Sequence, residues 1–216
     1  MRIINPGAAP ATVSVTMLGK DGARPLSGAQ SVTIDAGSVF DIQLAGVPAG
    51  TYGVQVTSNT PVGAAVRVVR SGGEYPARSK ALVHDQAWAQ AALPGAADSG
   101  LLAVPRATSL SSAVTVANSG ETTSVTLSSL DGSWKQDVKV AKGSSSVVEV
   151  PAKVSAVRLN AAGQKGSSGA SHTSSGLAAA TIVTAQAGGD LAGTLISTVP
   201  AQPDATVQAQ RRILLD

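Results

Sequence analysis

Apolar and polar positions alternate along much of this chain. In Thr12–Met17 the residues Val13, Val15 and Met17 fall on one side, and Thr12, Ser14 and Thr16 on the other. A period of two is that of a half-buried β-strand. The same pattern predicts strands at Ser31–Asp35, with Val32 and Ile34 inward, and at Thr51–Ser58, through Tyr52, Val54 and Val56. It also predicts a strand at Ser38–Leu44, with Phe40, Ile42 and Leu44 on one face. Val62–Arg70 is apolar on both sides as far as Arg67, the pattern of a more deeply buried strand. Gly and Pro in Gly46–Gly50 and Pro61 break the runs. Strands recur at roughly 8–12 residues, the spacing of sandwiches and barrels.

The second half of the chain repeats the first. INPGAAPATVSVTMLGKDG, from Ile4, is answered by ANSGETTSVTLSSLDG, from Ala117. This matches Val15 with Val125 and Asp21 with Asp131. SVTIDAGSVFDIQL is answered by DVKVAKGSSSVVEVP, so that Gly37 meets Gly143 and Ser38 meets Ser144. YGVQVT is answered by SAVRLN, and PVGAAVRV by GLAAATIV, giving the pairs Ala64/Ala179 and Ala65/Ala180. HDQAWAQAAL has a fainter echo in GDLAGTLIST. Elements repeated in the same order, with gaps only at turns, point to an internal duplication. The predicted fold is all-β: two tandem immunoglobulin-like β-sandwich domains, 1–98 and 99–216, joined through LPGAADSG. The second repeat carries a Gly/Ser-rich loop at 160–176 where the first has only Ser58–Thr60. The first repeat lacks a counterpart of Leu101–Pro105. The strand-like Ala205–Leu215 is expected either to complete the second domain or to cover an edge of the first.

Composition narrows the chemistry. Hydrophobic residues make up 43% of the 216, but Ala and Val dominate, and aromatic residues are only 2%. The predicted cores are therefore thin and built from small side chains. The net charge is +3, and 16 Lys and Arg are scattered rather than clustered, with Arg211-Arg212 expected at a solvated strand end. Nucleic-acid binders concentrate basic charge and add stacking aromatics, so no nucleic-acid partner is expected. No cysteine is present, which removes disulfides, Cys-ligated zinc and thiol catalysis together. No apolar run reaches the 18 or so residues of a membrane-spanning helix. MRIINPG has no apolar region of the kind a signal peptide needs, while the composition looks exported. The expectation is a segment of a longer exported chain.

Few residues carry candidate chemistry. Asp21-Gly22 and Asp131-Gly132 read as hairpin turns, because Asp-Gly tolerates positive φ and the ligand spacing of a calcium loop is missing. Asn5 and Asn118 read as turn formers whose side chains bond the backbone two residues on. His84 and Asp85 are adjacent and so point to opposite faces of a strand, and His172 sits in the Gly/Ser loop. No GxSxG elbow accompanies the serines. No catalytic, cofactor or metal residue is assigned, and no enzyme is expected. Trp88 and Trp134 are the candidates for recognition, weighed against each filling a hole in an aromatic-poor core, the reading favoured here. Arg67 and Arg70 are the other candidate partner contacts. Arg67 is expected solvated at a sheet edge, with Asp41 or Asp35 as its alternative partners.

The run from Ile4 to Arg70, and again from Val114 to Pro151, resembles a domain of unknown function found in actinobacterial cell-envelope and secreted proteins. That resemblance implies duplicated β-sandwiches and an extracellular or envelope setting, and brings no functional residues with it. The expected role is a non-enzymatic structural or interaction module whose partner is another envelope protein or a cell-wall component. The alternatives are a glycan- or ligand-binding module, and an assembly subunit that uses an open strand edge near Arg2–Asn5 or at the C-terminal strand.

Overall fold

A computed structural model describes residues 1–44, 46–76, 78–92, 97–161, 176–186 and 194–203. Its regular structure is all strand. The first half holds β1 (Arg2–Ile4), β2 (Ala11–Gly19), β3 (Gly22–Pro25), β4 (Val32–Ile34), β5 (Val39–Asp41), β6 (Gly53–Ser58), β7 (Gly63–Glu74) and β8 (Leu82–Gln90). The second holds β9 (Ser99–Ala103), β10 (Leu110–Asn118), β11 (Thr123–Ser129), β12 (Lys135–Val140), β13 (Ser144–Glu149), β14 (Ala156–Ala161), β15 (Leu177–Gln186), β16 (Thr194–Pro200) and β17 (Gln202–Pro203).

In the first half one sheet has the order β5-β1-β7-β8. In the other, β2 pairs β3 and β4 and also β6. In the second half the orders are β13-β10-β15-β16 and β12-β11-β14-β9-β17. All ladders are antiparallel. The strand orders of the two halves match, with β3 and β4 together in the place of β12, and the β1 and β10 ladders match in register too. Ile4 faces Val39 and Gly63, as Ala117 faces Ser145 and Ala178. Among the described residues β9 and β17 have no counterpart in the first half. β14 is paired by β9, whereas among the described residues β6 is paired only by β2.

Each half closes its own apolar core. Ile3, Val13, Val15, Leu26, Ile34 and Ile42 fill the first, with Val54, Val56 and Ala64 packed on them. Leu102, Val114, Val116, Val125, Leu127, Val157, Leu159 and Leu177 fill the second, together with Ala97. The largest fully buried side chains are Ile and Leu, so the cores are built without a fully buried aromatic ring. Phe40 departs from its predicted place. β5 ends at Asp41 rather than continuing to Leu44, and Phe40 lies on this edge strand with 42% of its surface exposed.

The halves meet asymmetrically. The outward residues of β10, Thr115 and Ala117, are buried although they point away from their own core. Ala117 lies against Gly53, where an added Cβ would come within 2.4 Å of the Ala117 Cβ. Beside Gly53 is Leu18, only 3% exposed. The Ser145 hydroxyl donates to the Thr51 carbonyl across the same seam. Farther along, the Ile196 N–H donates to Asp85 at 2.6 Å and the Thr198 hydroxyl to the Trp88 carbonyl at 3.1 Å.

Candidate functional site

The sheet β5-β1-β7-β8 has one face toward the first core and one toward solvent. Alternation decides which side chains reach each. Ile3 and Ala64 turn inward. Arg2 and Ile4, Arg67 and Val69, and His84, Gln86 and Trp88 turn outward. Register then brings residues from distant points of the chain side by side. Arg67 lies directly opposite Trp88, and Arg2 directly opposite Asp41.

Trp88, on the edge strand β8, is 42% exposed and is where the cations of this face converge. The Arg67 guanidinium carbon lies 5.9 Å from its ring centroid and that of Arg2 6.0 Å. These are cation–π distances. Arg2 also forms a two-pronged pair with Asp41, its Nε and Nη2 donating at 2.9 and 2.8 Å. The hydrogen bonds from Arg2 hold the Asp41 carboxyl below its usual range, and the same contact holds the guanidinium more firmly charged. The result is an exposed ring fixed between two cations, one of them oriented by a carboxylate, with Ile4, Val39 and Val69 exposed around it.

This arrangement corrects two expectations. Trp88 does not fill a core. It occupies an outward position of β8, and the inward positions are taken by small residues such as Ala87. Arg67 is not at a sheet edge and pairs with neither Asp41 nor Asp35. β7 lies between β1 and β8, so Arg67 stands mid-face over the indole, and Asp41 is taken by Arg2. Arg2 is the member that sequence reasoning missed. Only the β1–β5 register, which joins residues 39 apart, reveals it.

The other candidates do not join the cluster. Arg70 is opposite Asp85, on alternate parity from Arg67. Trp134 follows the turn after β11, is half-buried against the second core, and donates its N–H to the Ser129 hydroxyl. His84 is exposed on the outer face, whereas Asp85 turns toward β16, so the two do not cooperate. His172, Arg211 and Arg212 lie outside the described residues, as do residues 162–175 of the Gly/Ser loop and the stretch 204–216. The open edge predicted near Arg2–Asn5 is absent, because β1 is paired on both sides by β5 and β7. The other predicted edge, the C-terminal strand Ala205–Leu215, lies outside the described residues. Among the described residues no three His, Asp or Glu side chains group as a metal site, and no helix is long and apolar enough to cross a membrane.

Two open grooves lie at corresponding ends of the halves. One, of about 470 Å³, is bounded by Gly19–Gly22, Pro48–Tyr52 and the incoming Ser145 and Val147. The other, of about 200 Å³, is bounded by Ser129–Asp131 and Lys153–Ala156. At the second, Asp131 accepts hydrogen bonds from the Ser129 and Ser133 side chains and the Ser133 N–H, which lower its pKa to about 2.

The profile of a family of unknown function, DUF5719, matches residues 1–151, running through the first half and into the second as far as the end of β13. No curated protein and no solved structure matches the chain.

Proposed function

Because the chain belongs to the DUF5719 family, whose function is unknown, we propose from its own geometry that it is a non-enzymatic interaction module of an exported bacterial cell-envelope protein. The observation that carries the reading is the Trp88 face: an exposed indole fixed by Arg2 and Arg67 on a sheet surface ringed by exposed Ile4, Val39 and Val69. Exposed apolar groups gathered in one patch mark interaction surfaces. Trp and Arg are also the residues that most often anchor protein contacts. The envelope setting comes from the sequence resemblance and from a composition poor in charge and rich in Ser and Thr. The matching strand orders of the two halves support internal duplication as the origin of the tandem β-sandwich domains.

A glycan partner is the second reading, and the guanidinium groups restrict it. A neutral sugar that stacked on Trp88 would displace its cation–π partners, whereas an acidic sugar would gain two cations. The test is retention of the purified chain on envelope proteins and on cell-wall fragments. Trp88→Ala and Arg67→Glu are expected to lose most of that retention, while the remote Arg24→Glu keeps it. Retention unchanged in Trp88→Ala and Arg67→Glu would sink the reading.

A further inference from the structure

We propose that the Trp88 face is one side of a head-to-tail junction between copies of this chain, the other side being the Leu130 end of the second half. The inference rests on the interaction reading above and names its partner. Its warrant is the seam that the chain already makes within itself.

Inside the chain, the outward face of β13-β10-β15-β16 docks on the far end of the first half. Ala117 and Ser145 meet Leu18, Gly53 and Thr51 there. The strand registers give each of these residues a counterpart. Ala117 corresponds to Ile4, Ser145 to Val39 and Val147 to Asp41. Ile182 corresponds to Arg67 and Thr198 to Trp88. The face whose Ala117 and Ser145 positions are buried in the second half, while Val147 stays 50% exposed, is therefore the one left open in the first. There its small residues are replaced by Ile4, 44% exposed, and Val39, 53% exposed.

The receiving end has counterparts too. Val15 pairs Val56 as Leu127 pairs Leu159, which places Leu18 over Leu130 and Gly53 over Ala156. Leu18, beside Gly53 at the seam, is 3% exposed, but Leu130, with none of the described residues docked on it, is 56% exposed beside its groove. Among the described residues the first half thus presents an open docking face and the second half an open receiving end. A contact between unlike ends repeats without closing unless its rotation happens to close a ring. Both sides carry mixed charge: Asp131 and Lys153 border the receiving groove, and Arg2, Arg67 and Asp41 stand on the docking face. The larger Ile4 and Ala156 hold this junction wider than the internal seam.

Sedimentation velocity of the whole chain tests the proposal. The wild type is expected to grow with concentration past two 21.3 kDa protomers, over a range from about 10 μM to about 1 mM, the affinities of small interfaces. Ile4→Glu and Leu130→Glu, both at exposed positions, are each expected to leave only monomer. Mixed one to one, they retain a single intact junction and form a dimer that grows no further. A wild type that stays monomeric throughout, or a mixture that forms no dimer, overturns the proposal. A monomeric wild type that still loses envelope retention in Trp88→Ala would leave the interaction reading standing, so the two failures are distinguishable.

Discussion

At the scale of single residues, the two turn asparagines do more than shape turns. Asn5 and Asn118 are wholly buried. The Asn5 amide donates to the carbonyls of Ala9 and Ile34 while its oxygen accepts from the Gly7 N–H. Asn118 repeats this with Glu121, Val140 and Gly120. Each thereby clips the end of its strand, β1 for Asn5 and β10 for Asn118, to the opposite sheet. Alanine at either position strands buried carbonyls, and we expect a loss of about 2–4 kcal/mol in urea unfolding for Asn5→Ala and for Asn118→Ala. The i to i+2 bond was legible in the sequence, because it is local. The clamp was not, because its other partners lie 22 to 29 residues away. The Trp88 cluster was half legible for the same reason: Trp88 and Arg67 stand out by type, but Arg2 joins only through register. The carboxylates give a second expectation. Asp131 sits near 2 and Asp41 below its usual range, both held down by hydrogen bonds. A carboxyl depressed in the folded state stabilises above its unfolded pKa, and that contribution is lost as pH falls through the folded value. NMR carboxyl titration should place the Asp131 midpoint near 2, and Ser129→Ala and Ser133→Ala should each move it toward 3.8. A midpoint already near 3.8 in the wild type would remove these hydrogen bonds from the account.

At the scale of elements, alternation placed the strands and their inward faces, but not their lengths. Matching the two Asp-Gly turns sets Val15 over Val125, while matching β6 with β14 sets Val56 over Leu159. These disagree, because Val15 pairs Val56 whereas Leu127 pairs Leu159. The disagreement is two residues, the repeat of a strand, so every side chain keeps its face and the alternation cannot reveal it. The asparagine clamps settle the anchor. Ile34, bonded by Asn5, pairs Ala11, and Val140, bonded by Asn118, pairs Thr123, so the first hairpin runs two residues farther before turning. That extension carries Leu18 to the seam. Gly53 stands beside it because no larger residue fits against Ala117. Gly53→Val should therefore overpack the seam and destabilise the chain by about 1–3 kcal/mol in chemical unfolding. Valine at the corresponding Ala156, against which none of the described residues docks as Ala117 docks on Gly53, should leave stability nearly unaltered. Equal losses at both positions would mean that the seam is looser than its geometry.

At the scale of the whole molecule, two complete cores are joined by a seam of small residues and a few hydrogen bonds, so the seam decides whether they unfold together. The second core is the larger and includes Leu102, Leu127, Leu159 and Leu177. The first depends on Val13, Val15 and three isoleucines, and its strand β6 has one ladder where β14 has two. Buried apolar area scales with stability, so the first half is the weaker and the seam supports it. Leu18→Glu places a buried carboxylate beside Gly53 at the seam and breaks that support without touching either core centre. Each half carries its own tryptophan, Trp88 in the first and Trp134 against the second core, so fluorescence can follow them separately. In a Trp134→Phe background, Trp88 reports the first half, and in Trp88→Phe, Trp134 reports the second. With Leu18 intact, both reporters should give one shared thermal transition. With Leu18→Glu the Trp88 transition should move several degrees below that of Trp134, since a destabilisation of about 1 kcal/mol shifts a domain of this size by roughly 4–8 °C. If the two reporters still melt together after Leu18→Glu, the coupling runs through the β8–β16 contacts at Asp85 and Ile196 instead. Asp85→Ala would then be the substitution that separates them.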